Sequence, residues 1–249
     1  IFEDSEHHLL AMEAVPEPHE NWKRLLLAGL VSTEHVREFG RMLAGIHGGA
    51  WRRRERLATI FADTAWFESL RIEPYYTYAA SQVPAARPFL DRLVADTRAR
   101  RLTLVHGDYS PKNILVHDGR LVLLDHEVIH WGDPAFDLGF ALTHLLSKAH
   151  HLPGQRAALS QAAVEFWDTY LASLLAEAKD ADWLSGLEAA AVRHTLGCLL
   201  ARVAGRSPLE YLTPAERDRQ RSAVVDLMRA PPSGVRELAS AFLSAVGES

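Results

Sequence analysis

Between Val105 and Asp137 the chain reads VHGDYSPKNILVHDGRLVLLDHEVIHWGDPAFD, and no other segment limits the possible folds as tightly. Asp108 is followed five residues later by Asn113 and then, across a short hairpin, by Asp125. That spacing suits phosphoryl transfer. One carboxylate takes the proton of an attacking hydroxyl, while an amide oxygen and a second carboxylate hold the Mg²⁺ that neutralises the moving phosphate. Such chemistry needs a strand ending in a loop, so that the base and the first metal ligand converge on one spot. Short apolar strands are predicted over 102–105, 114–116 and 121–124, the last two joined by the Asp118-Gly119 pair that favours a tight hairpin. Gly107 relaxes the backbone ahead of Asp108. Asp125 ends an apolar strand where a sheet meets a cleft, and Glu127 faces the same way if the chain stays extended.

Helices surround this segment. Asp133 caps and Pro134 opens one whose buried face is Phe136, Leu138, Leu142, Leu145 and Leu146. Ser32 caps another, with Val36, Phe39, Leu43 and Ile46 at helical spacing and Gly48-Gly49 as its close. Further helices are predicted over 62–71, 86–100, 156–178, 181–204 and 214–229, the last opening on a Thr213/Glu216 capping box, and a final one follows Pro231-Pro232. At the other end, an apolar pair Ile1-Phe2, a polar turn Asp4-Ser5-Glu6-His7-His8 and the apolar run Leu9 to Met12 form half of a sheet.

Composition excludes several classes. Of 249 residues, 48% are hydrophobic and 24% charged, which is ordinary for a folded globular chain and not for a disordered one. A net charge of -5 argues against a nucleic-acid or anionic-membrane partner. Arg52 to Arg56 form the one basic cluster, read as a solvated helix face or end. The single Cys198 rules out an intrachain disulfide and points to a reducing cytoplasm. Its apolar helical setting predicts inert packing. No apolar run reaches the roughly 18 residues of a membrane span. His7-His8 and His150-His151 fall in turn-like or helix-end settings, where solvated polar surface is expected.

The residues His106-Gly107-Asp108, Asn113 and Asp125 together resemble the aminoglycoside phosphotransferase and choline kinase group of small-molecule kinases, with His-Gly-Asp in place of the His-Arg-Asp of protein kinases. The resemblance implies an α+β, protein-kinase-like fold: a mainly helical C-terminal lobe over residues 17–249, preceded over 1–16 by a remnant of the N-lobe sheet and hinge. It implies ATP or GTP and Mg²⁺ as cofactors and a small-molecule hydroxyl as acceptor. By the same resemblance Asp108 is expected as the catalytic base and Asn113 and Asp125 as the metal and nucleotide ligands. The resemblance also implies that the backbone of Glu13, Ala14 and Val15 meets the nucleotide base and that the helices of 150–249 form the acceptor pocket. His106, Glu127, Asp137 and Arg202 are candidates for touching the acceptor or supporting residues that do. Asp137 resembles an Asp that braces the catalytic loop. Arg202 and Arg206 either reach the cleft or complement a helix end. Protein kinases place a phosphate-binding Lys two residues after the Asp, where Ser110 stands, so no such role passes to Lys112. The acceptor stays open among aminoglycosides, choline, homoserine, methylthioribose and sugar-amine adducts.

The family also carries a nucleotide-covering glycine loop and a Val-Ala-x-Lys strand, and neither motif precedes His106 here. Truncation is the expectation, and with it negligible activity of these 249 residues alone. Three other readings stand beside the kinase: a nucleotide-binding pseudokinase or regulatory module, a metal-dependent phosphohydrolase, and a zinc hydrolase. The last uses His126-Glu127-Val128-Ile129-His130, whose chemistry requires a helix that puts both imidazoles on one face. The local sequence, a strand before and Trp131-Gly132-Asp133-Pro134 after, argues against that helix.

Overall fold

A two-stranded hairpin opens the chain in the computed structural model, which describes residues 2–4 and 6–247. β1 (Phe2–Asp4) pairs antiparallel with β2 (Leu9–Ala11), and Asp4 Oδ1 fixes the turn by accepting from the N–H groups of Glu6 and His7, both at 3.1 Å. Ile1 and Ser5, part of the expected apolar pair and turn, lie outside the described residues. Among those residues no third strand joins this sheet, and Phe2, Leu9 and Met12 are exposed.

β3 (His19–Asn21) leads into α1 (Trp22–Leu27), capped by the Asn21 side chain. α2 (Thr33–Trp51) begins at the predicted Ser32 cap but runs through Gly48-Gly49 instead of stopping there. A Cβ on Gly48 would stand 2.7 Å from the Cβ of Glu177, so this glycine serves close packing and not helix termination. α3 (Arg54–Ile60) follows, and the basic cluster of 52–56 is exposed, as a solvated face requires. The helix predicted over 62–71 is instead one continuous run: α4 (Ala65–Phe67), a π-helical stretch (Glu68–Thr77) and α5 (Tyr78–Gln82). Pro74 lies inside it. Proline has no N–H and its ring clashes with the preceding turn of an α-helix, and the wider π turn accommodates both while its carbonyl accepts from the Arg206 N–H at 3.1 Å.

After α6 (Arg87–Ala99) come β4 (Thr103–Val105), β5 (Ile114–His117), β6 (Arg120–Leu123) and β7 (His130–Gly132). β5 and β6 pair across Asp118 and Gly119, which hold φ of 47° and 73°, the conformation of a tight hairpin turn. β3 adds to the other edge of β5, and β4 pairs with β7. Then follow α7 (Pro134–His151), α8 (Arg156–Ala178), α9 (Leu187–Ala204), α10 (Pro214–Arg229) and α11 (Val235–Gly247). The caps at Asp133 and the Thr213/Glu216 capping box form as predicted. The helix expected over 181–204 is split by Gly186 at φ 81°, so that α9 starts only at Leu187.

The core is helical. α2 packs on α8, and α7 on α8 and α9, burying Phe39, Phe136, Phe140, Phe166 and Tyr170 completely. Each such side chain contributes about 1.5–3 kcal/mol of transfer free energy. His150 belongs to this interior and not to the solvated surface expected for it. It is 2% exposed, with Nε2 bonded to the Glu216 carbonyl at 3.1 Å. α7 and α9 meet at Gly139, where a Cβ would lie 2.6 Å from the carbonyl carbon of His194 and 2.7 Å from Thr195 N. Backbone cannot yield as a side-chain tip can. Gly139→Ala is therefore expected to destabilise the chain by about 1–3 kcal/mol through overpacking, read as a lower urea midpoint with unchanged helical circular dichroism, and an unchanged midpoint would show that the two helices separate freely.

Candidate active site

The loop after β4 carries the site, and its shape depends on one buried carboxylate. Asp137, in the first turn of α7, is fully buried. Its Oδ2 accepts from the His106 N–H at 2.7 Å and its Oδ1 from the Gly107 N–H at 2.9 Å. His47 Nε2 from α2 adds a contact at 3.2 Å, and the Tyr170 hydroxyl holds the other ring nitrogen at 2.8 Å. Burial opposes ionisation of Asp137, but the His47 hydrogen bond and the charges and N–H groups around it prevail and hold its carboxyl below the usual range. Gly107 can follow this path because it holds φ 79°, and a Cβ there would meet the Val128 carbonyl at 2.9 Å. His106 Nδ1 accepts from the Asp108 N–H at 3.2 Å, which leaves the proton on Nε2 to donate to the Leu124 carbonyl, also at 3.2 Å.

Asp108, 2% exposed, ends up with every contact on one oxygen. Its Oδ2 lies 2.8 Å from Lys112 Nζ, 3.2 Å from Arg71 Nη2 and 2.8 Å from Asn113 Nδ2. Asn113 spends its Nδ2 twice, with the second bond to the Asp108 carbonyl at 3.0 Å, so its amide oxygen is the atom left for another partner. Asp125 stands next to this pair because the N–H of its neighbour Leu124 donates to the Asn113 carbonyl at 2.9 Å. It is exposed and holds φ 66°, a conformation rare for a residue with a side chain and often kept at functional sites. An amide oxygen and an exposed carboxylate are hard donors of the kind Mg²⁺ takes, so the residues present fit that ion.

The structure brings His106, Asp108, Asn113, Asp125 and Asp137 together and leaves others apart. The extended chain expected to carry Glu127 alongside Asp125 is absent: the strand stops at Leu123 and Glu127 sits in a turn, exposed. Glu13 and Ala14 are exposed, and with Val15 they lie in irregular chain between β2 and β3. The zinc reading fails on geometry. His126 is exposed on a loop, while His130 is in β7 with its ring stacked on Phe67 at 4.0 Å, so the two imidazoles share no helix face. No group of three His, Cys, Asp or Glu among the described residues could hold a metal.

Arg202 reaches the cleft. It lines a cavity of about 460 Å³ in front of Asp108, together with Lys23, Arg71, Tyr75, Lys112 and Arg206. This wall comes partly from the π-helical stretch and α1, and not only from helices beyond residue 150. Arg71 and His47 were not singled out in the sequence, and Lys112, which was given no role there, lies 2.8 Å from Asp108 Oδ2. A larger concavity of about 700 Å³, near Asp218, Asp226 and Ala245, has no comparable group of charged and hydrogen-bonded side chains. Cys198 is inert. Burial pushes its thiol up to about 12.

This arrangement, a loop braced from the following helix with a buried Asp facing a cleft, sits on a kinase-like α+β fold. The chain belongs to the phosphotransferase enzyme family, whose sequence pattern matches residues 2–171. Over 127 residues it is 30% identical to a methylthioribose kinase of Pectobacterium atrosepticum, a match covering 42% of this chain and 32% of that kinase. A solved glucosamine kinase superposes with a TM-score of 0.50 at 17% identity, covering 94% of this chain and 60% of the other. A glucosamine kinase in complex with glucosamine, ADP and inorganic phosphate gives 0.47 at 18% identity, over 94% and 62% of the two chains. The chain thus spans less than two thirds of the length of these relatives. Among the described residues no helix is long and apolar enough to cross a membrane.

The brace can be tested by acid. Because the Asp137 pKa is depressed in the fold, its contribution is complete above the unfolded value of about 3.9 and is lost as pH falls through the folded one. Asp137→Asn is expected to cost about 3 kcal/mol at pH 7, the scale of breaking a buried charged pair, and to lose less further stability than the parent as the pH falls below about 4. Urea titrations at several pH values read both effects. Parallel pH profiles would contradict the assignment.

Proposed function

We propose that the protein carrying this chain transfers the terminal phosphoryl group of ATP or GTP to a hydroxyl of a small molecule. One observation carries the reading: Asp108 is buried at the cleft with Lys112, Arg71 and Asn113 all on Oδ2, which leaves Oδ1 to accept a proton. An acceptor hydroxyl bonded there is oriented toward the donor. As its oxygen bonds to phosphorus and the bond to the leaving nucleoside diphosphate breaks, its proton passes to Asp108. Positioning and electrostatics supply most of such a rate. Arg71 and Lys112 stabilise the carboxylate and place positive charge beside the transferring group.

Asn113 and Asp125 would hold Mg²⁺, through the free amide oxygen and the exposed carboxylate. The ion, when bound, supplies neutralisation of the phosphate charge. The β1–β2 hairpin would belong to a nucleotide-binding sheet, with Glu13 to Val15 as the hinge that meets the base. A cytoplasmic setting suits this substrate. Membership of the phosphotransferase family supports the whole reading.

Asp108→Asn keeps the size and the hydrogen bonds to its neighbours but removes the basic oxygen. It is expected to lower turnover by about 10²- to 10⁴-fold, the range of general-base contributions, with nucleotide affinity nearly unchanged. A coupled assay of nucleoside diphosphate release, run over a panel of hydroxyl compounds, measures it. A variant that retains more than half of the parent turnover would remove Asp108 from the reaction.

A further inference from the structure

The cavity in front of Asp108 has paired charges at its rim and an unpaired one at its inner end. At the rim, Lys23 pairs with Glu210, and Arg206 pairs with Glu73 at 3.0 Å, all four at least partly exposed. Arg202 differs. It is only 8% exposed, and its Nη1 donates to the Tyr75 hydroxyl at 2.8 Å, the Ser207 carbonyl at 2.7 Å and the Ser207 hydroxyl at 3.1 Å, none of them charged. Among the described residues no carboxylate lies within ion-pair distance of it, and its Nε is buried without an acceptor.

A second cation stands behind the first. Lys148 of α7 is fully buried, bonded through Nζ to the His144 carbonyl at 3.2 Å and 5.4 Å from the centre of the Tyr211 ring, whose own hydroxyl is buried without a partner. Burial first, and then the positive field of Lys23 and Arg202, push the Lys148 ammonium down to about 7. Donors therefore outnumber acceptors at this end. Buried donors without acceptors are rare in native folds and call for an explanation such as a missing ion or water. Over the cavity as a whole, five cations (Lys23, Arg71, Lys112, Arg202, Arg206) face three carboxylates (Glu73, Asp108, Glu210). An aminated acceptor would meet that excess as repulsion.

We infer that the hydroxyl acceptor is an acid, with its anionic group, a carboxylate or a phosphate, bound by Arg202 while its hydroxyl meets Asp108. The placement of the hydroxyl rests on the phosphotransferase reading; the anion site does not. The two ends share one wall, because the guanidinium carbons of Arg71 and Arg202 lie 5.9 and 5.6 Å from the centre of the Tyr75 ring. The cavity of about 460 Å³ has room for a metabolite that spans them.

The test is a titration without nucleotide, so it stands or falls separately from the Asp108→Asn assay. The Arg202 Nε–H resonance of the arginine-labelled protein is followed as sodium acetate, sodium phosphate or sodium chloride is added at matched ionic strength, with the thermal midpoint measured in parallel. Acetate or phosphate is expected to shift the resonance saturably and raise the midpoint, whereas chloride does neither, and the stronger of the two anions tells a carboxylate acid from a phosphate ester. Arg202→Gln should weaken the response by about 10-fold or more, the scale of one lost charge-assisted hydrogen bond, while the surface change Arg229→Gln leaves it intact. Should Arg202→Gln not fold, the parent titration decides alone. Equal responses to all three salts, or a response that survives in a folded Arg202→Gln chain, would overturn the inference.

Discussion

The Asp137 carboxylate is the contact on which the site depends. A buried charge is costly unless hydrogen bonds and opposite charge satisfy it, and here two backbone N–H groups of the loop after β4 and the His47 imidazole do so. The same bonds join three parts of the molecule: α2 through His47, the end of β4 through His106 and Gly107, and α7 through Asp137 itself. A loop fixed in this way cannot drift to relieve strain elsewhere. Gly107 is held at positive φ, Arg71 Nε bonds to its carbonyl at 2.6 Å, and Asp108 is set facing the cleft.

Charge in the cleft differs from charge on the molecule. The chain as a whole is acidic, at -5, yet the walls around Asp108 are cationic. Exposed pairs such as Lys23 with Glu210 contribute about 0–1 kcal/mol and are screened by salt, so they shape the rim more than they stabilise the fold. Arg71 and Arg202 are different because both are largely buried. Their fields reach Asp108 and the cavity through low-dielectric surroundings, where electrostatic interactions are stronger than in water.

Much of this was legible in the sequence, and the failures have physical causes. Strands, hairpin and caps were readable because each depends on local chemistry: Asp118-Gly119 for the turn, Asp133-Pro134 for the start of α7, and Thr213 with Glu216 for α10. The loop residues Asp108 and Asn113 were legible for the same reason, since they are close in sequence and share one turn. The cationic wall was not. Arg71 ends the helix expected over 62–71 and Tyr75 lies beyond it, and the π-helical path that carries both past Pro74 rests on tertiary packing, including the Arg206 N–H bond to the Pro74 carbonyl. His150 looked like polar surface and His47 gave no signal, because burial of a histidine depends on partners far along the chain, Glu216 for the first and Asp137 and Tyr170 for the second. The chain at Glu127 was expected to stay extended because nothing local marks where β6 ends.

In the proposed reaction the loop from His106 to Asn113 and the chain at Asp125 would form one metal-nucleotide site. Paramagnetic Mn²⁺, which takes the same oxygen ligands as Mg²⁺, tests it directly when added with a nucleoside diphosphate to the isotopically labelled protein. The Asn113 side-chain amide and the Asp125 backbone amide are expected to broaden first and most strongly, with His130 unaffected at the same metal concentration. Broadening centred on His126 and His130, or spread evenly over the acidic surface with Asn113 spared, would contradict it.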